Sequence, residues 1–225
     1  MKRFAVILLL LGLPAGLSAQ NAGSPQTLDP ASLSPAARIE FEINRSYYDR
    51  YRSMVELAGR IKLDSLKKQI SDLGAILGKT TGKARRPPQD PRPGWERRGR
   101  EFGRAAAETR RNILAVQSFR TADPPTIPID STTSADPSLQ VLSDNRRSIR
   151  EDVRHKKEIA ALAVQILSRL ERDFQSFVLF VQQKGGRGDA GEIAAERIRG
   201  LHATLSLLQA YVDELQSLDF RACGP

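Results

Sequence analysis

The apolar residues of this chain recur at alternating intervals of four and three, most regularly in its last third. One series covers 149–181, with Lys156 as a polar member, and a second covers 194–215. Such spacing places side chains on one face of a helix over several heptads. Because only a short glycine-containing segment separates the two series, we expect an antiparallel helical hairpin over 139–219.

The seam of this hairpin is predicted from the apolar positions that the two helices bring face to face. Residues 159–167 are apolar on more than one face, which requires a further helix against them. We assign that place to a long helix over 36–78. The predicted seam residues are Ala163, Leu167, Leu170, Phe174, Phe177, Leu201, Leu205 and Leu208.

The first half of the chain predicts one long and one shorter helix. Ser34 followed by Pro35 is a favourable helix start, and Gly78 a favourable end. The interval between the apolar residues Ile61 and Leu66 is five instead of three or four. This slip in the phase of the apolar stripe predicts a kink near Asp64. The shorter helix is expected over about 95–120, with Phe102, Ala105, Ile113 and Val116 on its apolar face.

Proline-rich segments separate these elements, and no stretch alternates with the period of a strand. Residues 79–94 form a basic, proline-rich linker and residues 121–138 a loop rich in Pro, Ser and Thr. The N-terminal helices and their linker therefore occupy 35–120. We predict an all-α protein, a long coiled-coil-like hairpin joined by one long and one shorter N-terminal helix.

The N-terminus has the pattern of a secretory signal. Two basic residues precede an apolar run, and small residues precede a cut after Ala19. Residues 1–19 are interpreted as a signal peptide and 20–34 as a flexible leader. We expect an exported protein, periplasmic or extracellular, with no transmembrane span after signal removal. Residues 220–225 form a tail with Cys223, which either pairs between chains or stays a free thiol.

The positive charge of the chain is concentrated in one segment. The formal net charge is +9, and residues 79–111 hold eleven Lys or Arg against four acids, a difference of +7. This segment is either a solvated linker or a contact for a polyanion, such as an anionic lipid surface, an acidic polymer or an acidic protein. Nucleic acid is not expected, because the protein is exported. The candidate contact residues are Arg85, Arg86, Arg92, Trp95, Arg97, Arg98, Arg100 and Arg104.

Two short motifs have plain structural interpretations. Arg187-Gly188-Asp189 at the hairpin tip matches an adhesion motif, but the glycines suit a turn and Asp189 suits a helix cap. "FQSFVLFV" (174–181) is either a core segment, which we favour, or an exposed patch.

His155 and His202 fall about seventeen residues apart along the hairpin, too far to share a metal, so no metal or cofactor is predicted.

These features favour a non-catalytic protein, since no nucleophile, base and orienting group can be placed together. The first hypothesis is an exported helical scaffold or adaptor of the cell envelope, with a protein partner or self-association through its helices. The alternative is a holdase-type chaperone for unfolded exported proteins. The sequence does not name the partner, the organism or the oligomeric state.

Overall fold

The computed structural model describes residues 30–81, 92–120, 136–184 and 189–217, and within these ranges the protein contains five α-helices and no strand. The predicted all-α class is confirmed. A short 3-10 turn, Pro30–Ser32, precedes the first helix. The α-helices are α1 (Pro35–Ala58), α2 (Asp64–Thr81), α3 (Arg92–Gln117), α4 (Pro137–Lys184) and α5 (Asp189–Gln216). The predicted signal peptide, Arg187 with Gly188, and Cys223 lie outside the described residues.

Helices α4 and α5 form an antiparallel hairpin, as their polar contacts show. Arg197 near the start of α5 donates to the Ser176 carbonyl, whereas Lys156 contacts the far end of α5 at Glu214. All eight predicted seam residues are buried. Phe174 and Phe177, however, pack against aromatic rings of α3, so this stripe of α4 is shared between two neighbouring helices.

α3 packs along the second half of α4, and α1, the first part of the helix predicted for that place, packs along α4 as well. Phe102 stacks on Phe174 with ring centroids 3.8 Å apart, and Arg110 pairs with Glu171. These contacts make α3 antiparallel to α4, so the last turns of α3 lie level with residues 159–167. The periodicity of α4 shows that a third helix is needed, but a neighbour's identity depends on topology, which no local pattern encodes.

The predicted long helix over 36–78 is two helices with a complete break between them. Ser34 caps α1, since its hydroxyl accepts from the Ala37 amide at 3.2 Å, and α1 ends at Ala58. Residues 59–63 carry a turn, and α2 begins at Asp64, where the apolar stripe slips in phase. The slip therefore marks a true interruption: α1 packs mainly against α4, whereas α2 packs against α3 and α5.

The proline-rich segments are shorter than predicted. Helix α2 continues past Gly78 to Thr81 and α3 begins at Arg92, so both ends of the 79–94 segment are helical. Pro93 and Pro137 lie in the first turns of α3 and α4, where proline is tolerated because the first amides have no partner within the helix. At the other ends, α3 stops at Gln117 and α5 at Gln216.

Helices α2, α3 and α5 and the second half of α4 (about 159–184) pack as a four-helix bundle. α3 packs against both α2 and α4, and α5 packs against the same two helices from the other side. Asp72 pairs with Arg98, and Asn112 donates to the Arg60 carbonyl, so α2 and α3 are antiparallel. The bundle therefore surrounds one apolar core that continues into α1.

α1 and the first half of α4 (137–158) form a second unit, here called the arm. The Ser34 hydroxyl donates to Asp136, the residue that caps α4, and Arg150 donates to the Tyr47 hydroxyl, so the two helices run parallel. The hydrogen bond from Ser34, followed by the Ser138 amide, lowers the pKa of Asp136. The arm is about 30 Å long at 1.5 Å per residue and extends past the ends of α3 and α5.

A set of side-chain hydrogen bonds joins the arm to the bundle, and we call this region the junction. Lys156 is 4% exposed and donates at 2.8 Å to the carbonyls of Glu214 and Ser217 at the end of α5. Gln216 donates to the Ala58 and Ile61 carbonyls in the break between α1 and α2. Carbonyls at helix ends, which lack the amide partner of a continuing helix, thus accept additional hydrogen bonds from side chains of neighbouring helices.

The hairpin seam can be tested at Leu170 and Leu205, which are both buried. Leu→Ala at either position is expected to lower the free energy of unfolding by about 2–5 kcal/mol, because it removes buried methyl groups and leaves a cavity. Leu207→Ala, at an exposed position on the same helix, is the matched control and should cost under about 1 kcal/mol. If all three variants had the same free energy of unfolding in chemical denaturation, the assignment of Leu170 and Leu205 to the seam would be disproved.

The junction can be tested with Lys156→Met, which keeps a long side chain but removes its donors. We expect a loss of about 1–3 kcal/mol in unfolding free energy, since the carbonyls at the end of α5 lose their partner. Amide exchange should also accelerate in the last turn of α5. Lys157→Met controls for the loss of charge on α4. A variant as stable as the parent, with unchanged exchange, would contradict this role for Lys156.

Candidate interaction surfaces

The described part of the basic segment is α3, which holds seven arginines and three glutamates, a difference of +4. Arg97, Arg100, Arg104 and Arg111 are all exposed, and their spacing of three, four and seven puts them on one outward face. This face, here called the arginine ridge, is about 21 Å long at 1.5 Å per residue. Packing against α2 and α4 fixes the ridge as a straight element.

Ion pairs engage part of this face. Arg97 lies 3.7 Å from Glu101, and Arg100 lies 3.9 Å from Glu96. Exposed pairs of this kind contribute only about 0–1 kcal/mol, so an external polyanion can compete with them. Arg104 and Arg111 have no carboxylate within ion-pair distance among the described residues.

The structure places the other predicted contact residues differently. Trp95 is 3% exposed and meets Phe177 edge to face at 5.9 Å, so it anchors α3 to α4 and is not part of the exposed strip. The reason is that Trp95 falls on the apolar stripe of α3, seven residues before Phe102. Arg98 is held beside Asp72 on α2 at 3.9 Å. Arg85 and Arg86 lie outside the described residues, as does the side chain of Arg92.

A groove on the outer side of the hairpin is a site that the sequence analysis missed. Its volume is about 400 Å³, and it lies between α4 and Arg197 of α5. It contains Leu179, which is 57% exposed, and the half-buried Phe180. The segment 174–181 is therefore core on one side, as favoured, and surface on the other. The sequence signal for this site was the pair of adjacent apolar residues Leu179 and Phe180. Neighbouring positions of a helix point in different directions, so one buried face cannot cover both.

The polar groups of the junction are occupied by structural hydrogen bonds. Besides Lys156 and Gln216, Thr109 donates to the Lys62 carbonyl at 3.3 Å and Asn112 to that of Arg60 at 3.2 Å. These bonds complete the backbone of the break between α1 and α2. The signal for them was the one lysine within the apolar series of α4, which the sequence analysis noted but did not interpret.

The described ranges contain no group of three or more His, Cys, Asp or Glu side chains that could hold a metal ion. His155 lies 3.6 Å from Glu214, and both His155 and His202 are exposed. None of the helices within those ranges combines the length and apolarity needed to cross a lipid bilayer.

Comparison of the chain with protein-family models, with curated proteins and with solved structures found no match.

The arginine ridge can be tested by retention on heparin and on phosphatidylglycerol vesicles at increasing salt. Replacing its arginines should lower the salt needed for release, because screened contacts weaken as ionic strength rises. The ridge variant is Arg97→Gln, Arg100→Gln and Arg104→Gln. The control removes three exposed, paired arginines elsewhere, Arg52→Gln, Arg154→Gln and Arg169→Gln. Identical release of the two triple variants would show that only net charge matters.

Proposed function

We propose that this protein is an exported, non-catalytic helical scaffold or adaptor of the cell envelope. The observation that supports this best is the arm, a pair of parallel helices that extends past the bundle and presents outward-facing side chains. Ile39 and Val141, both on the arm, are among the exposed large apolar residues. An arm held at both of its ends offers a partner a long surface of fixed geometry.

Two sets of bonds fix the geometry of the arm: one joins its two helices to each other, and the other joins the arm to the bundle. At the free end, Ser34 and Asp136 link the caps of the two helices, and Asn44 donates to the Leu142 carbonyl at 2.7 Å. Arg146 lies 2.7 Å from Glu40, a buried carboxylate. At the junction, the end of α5 is bonded to both helices of the arm. A binding surface that is fixed before binding loses less conformational entropy on association, which favours a specific partner.

A specific observation also supports the alternative, a holdase for unfolded exported proteins. Leu179 and Ile193 are exposed near the tip of the hairpin, at 57% and 47%. Exposed apolar side chains at the end of a helical element suit transient contact with apolar segments of an unfolded chain. The arm and the tip lie at opposite ends of α4, so the two functions can be tested at separate positions.

Photo-crosslinking in the producing cells tests the scaffold proposal against this alternative. A photoreactive phenylalanine is placed at Ile39 or Val141 on the arm, at Leu179 on the tip, and at Leu207 on α5 as a control. We expect arm positions to give adducts of discrete mass, because a scaffold meets a defined partner. A heterogeneous smear from Leu179, with suppressed aggregation of heat-unfolded citrate synthase, would favour the holdase. No adduct from either arm position would reject the scaffold.

A further inference from the structure

The groove on the outer side of the hairpin follows a single stripe of α4. Its residues on α4 succeed one another at steps of three and one, which is a continuous helical face about three turns long. They are Arg172, Gln175, Ser176, Leu179, Phe180 and Gln183. Arg197 of α5 forms the opposite wall. The groove is therefore an open, shallow trough along α4, bordered on one side by Arg197, and a further helix can pack along such a stripe.

The charges of this trough have one sign. Arg172 and Arg197 both line it, no carboxylate does, and neither arginine has an ion pair within the described ranges. Arg197 is held in position, since its guanidinium lies 4.5 Å from the centroid of the Phe180 ring and donates to the Ser176 hydroxyl at 3.2 Å. The trough thus combines two cations, of which Arg197 is held in position, with the exposed side chain of Leu179.

We propose that this trough is a docking site for an amphipathic helix of a partner protein, with an apolar stripe bordered by acidic residues. The apolar stripe would cover Leu179 and Phe180, and the flanking carboxylates would pair with Arg172 and Arg197. Helix-in-groove recognition of this kind reads apolar anchors at helical spacing. The inference rests on the scaffold function proposed above, for which it supplies a partner site at the end of α4 remote from the arm.

The charge of the trough distinguishes this occupant from two others. A second copy bound through the same surface would be related by two-fold symmetry, which brings the arginines of both chains into one interface with no carboxylate from either trough to pair with them. A flat anionic bilayer would contact the rim at Leu179, yet it would not follow a trough with a wall at Arg197. An acidic amphipathic helix satisfies both the shape and the charge.

The experiment measures binding of the mature full chain to a fluorescein-labelled helical peptide of about 14 residues, roughly four turns. One peptide carries leucines on one face with flanking glutamates, and a second has lysine in place of each glutamate. We expect the acidic peptide to bind at least about tenfold more tightly, with affinity that falls as salt rises. Leu179→Ser and Arg172→Gln should each weaken it about five- to tenfold.

The controls use equally exposed residues away from the trough. Leu207→Ser, at 45% exposure on α5, and Arg199→Gln, at an exposed position that lines neither the trough nor the ridge, should bind the acidic peptide within about twofold of the parent. Equal loss in trough and control variants, or equal binding of the two peptides, would overturn the proposal. The proposal would also be overturned if the acidic peptide failed to bind while the chain self-associated, or bound phosphatidylglycerol vesicles, in a way that Leu179→Ser abolishes. Discrete adducts from the arm would still support the scaffold in those cases.

Discussion

The arrangement of this protein depends on one constraint, the satisfaction of backbone carbonyls where two helices end at the same level. α1 stops at Ala58 and α5 stops at Gln216, and both helices pack against α4. A carbonyl that is buried without a partner costs about 1–3 kcal/mol. Lys156 and Gln216 supply donors from neighbouring helices to the carbonyls at these ends, so the ends can pack side by side.

This constraint also explains how one chain contains both a bundle and an arm. Because the break after Ala58 is bonded to α3 and α5, α1 is free to follow the first half of α4 while α2 joins the bundle. The core is continuous across the break, from Tyr47 to the tip of the hairpin. The arm is therefore an extension of the bundle that keeps a fixed direction, a property suited to a scaffold.

The sequence predicted the helical elements well, and for identifiable reasons. The 4,3 spacing of α4 and α5 gave their faces, and the phase slip after Ile61 marked the break. The burial of Trp95, in contrast, was not predicted. This residue follows the same stripe as Phe102, but its position in a run of arginines led to its assignment as a surface contact. The trough beside Leu179 was missed because exposure of a residue next to a buried stripe depends on whether another helix covers it.

The sequence by itself determined the helical class and the apolar faces and located the helix ends approximately, because these depend on residues a few positions apart. The tertiary structure decided which helix covers which face, and so which side chains remain outside. Lys156 illustrates the difference. Its place on the apolar face of α4 can be read from its spacing, but its function depends on the end of α5, 58 residues away along the chain. Only the packing of the helices brings a donor and its acceptors together over such a separation.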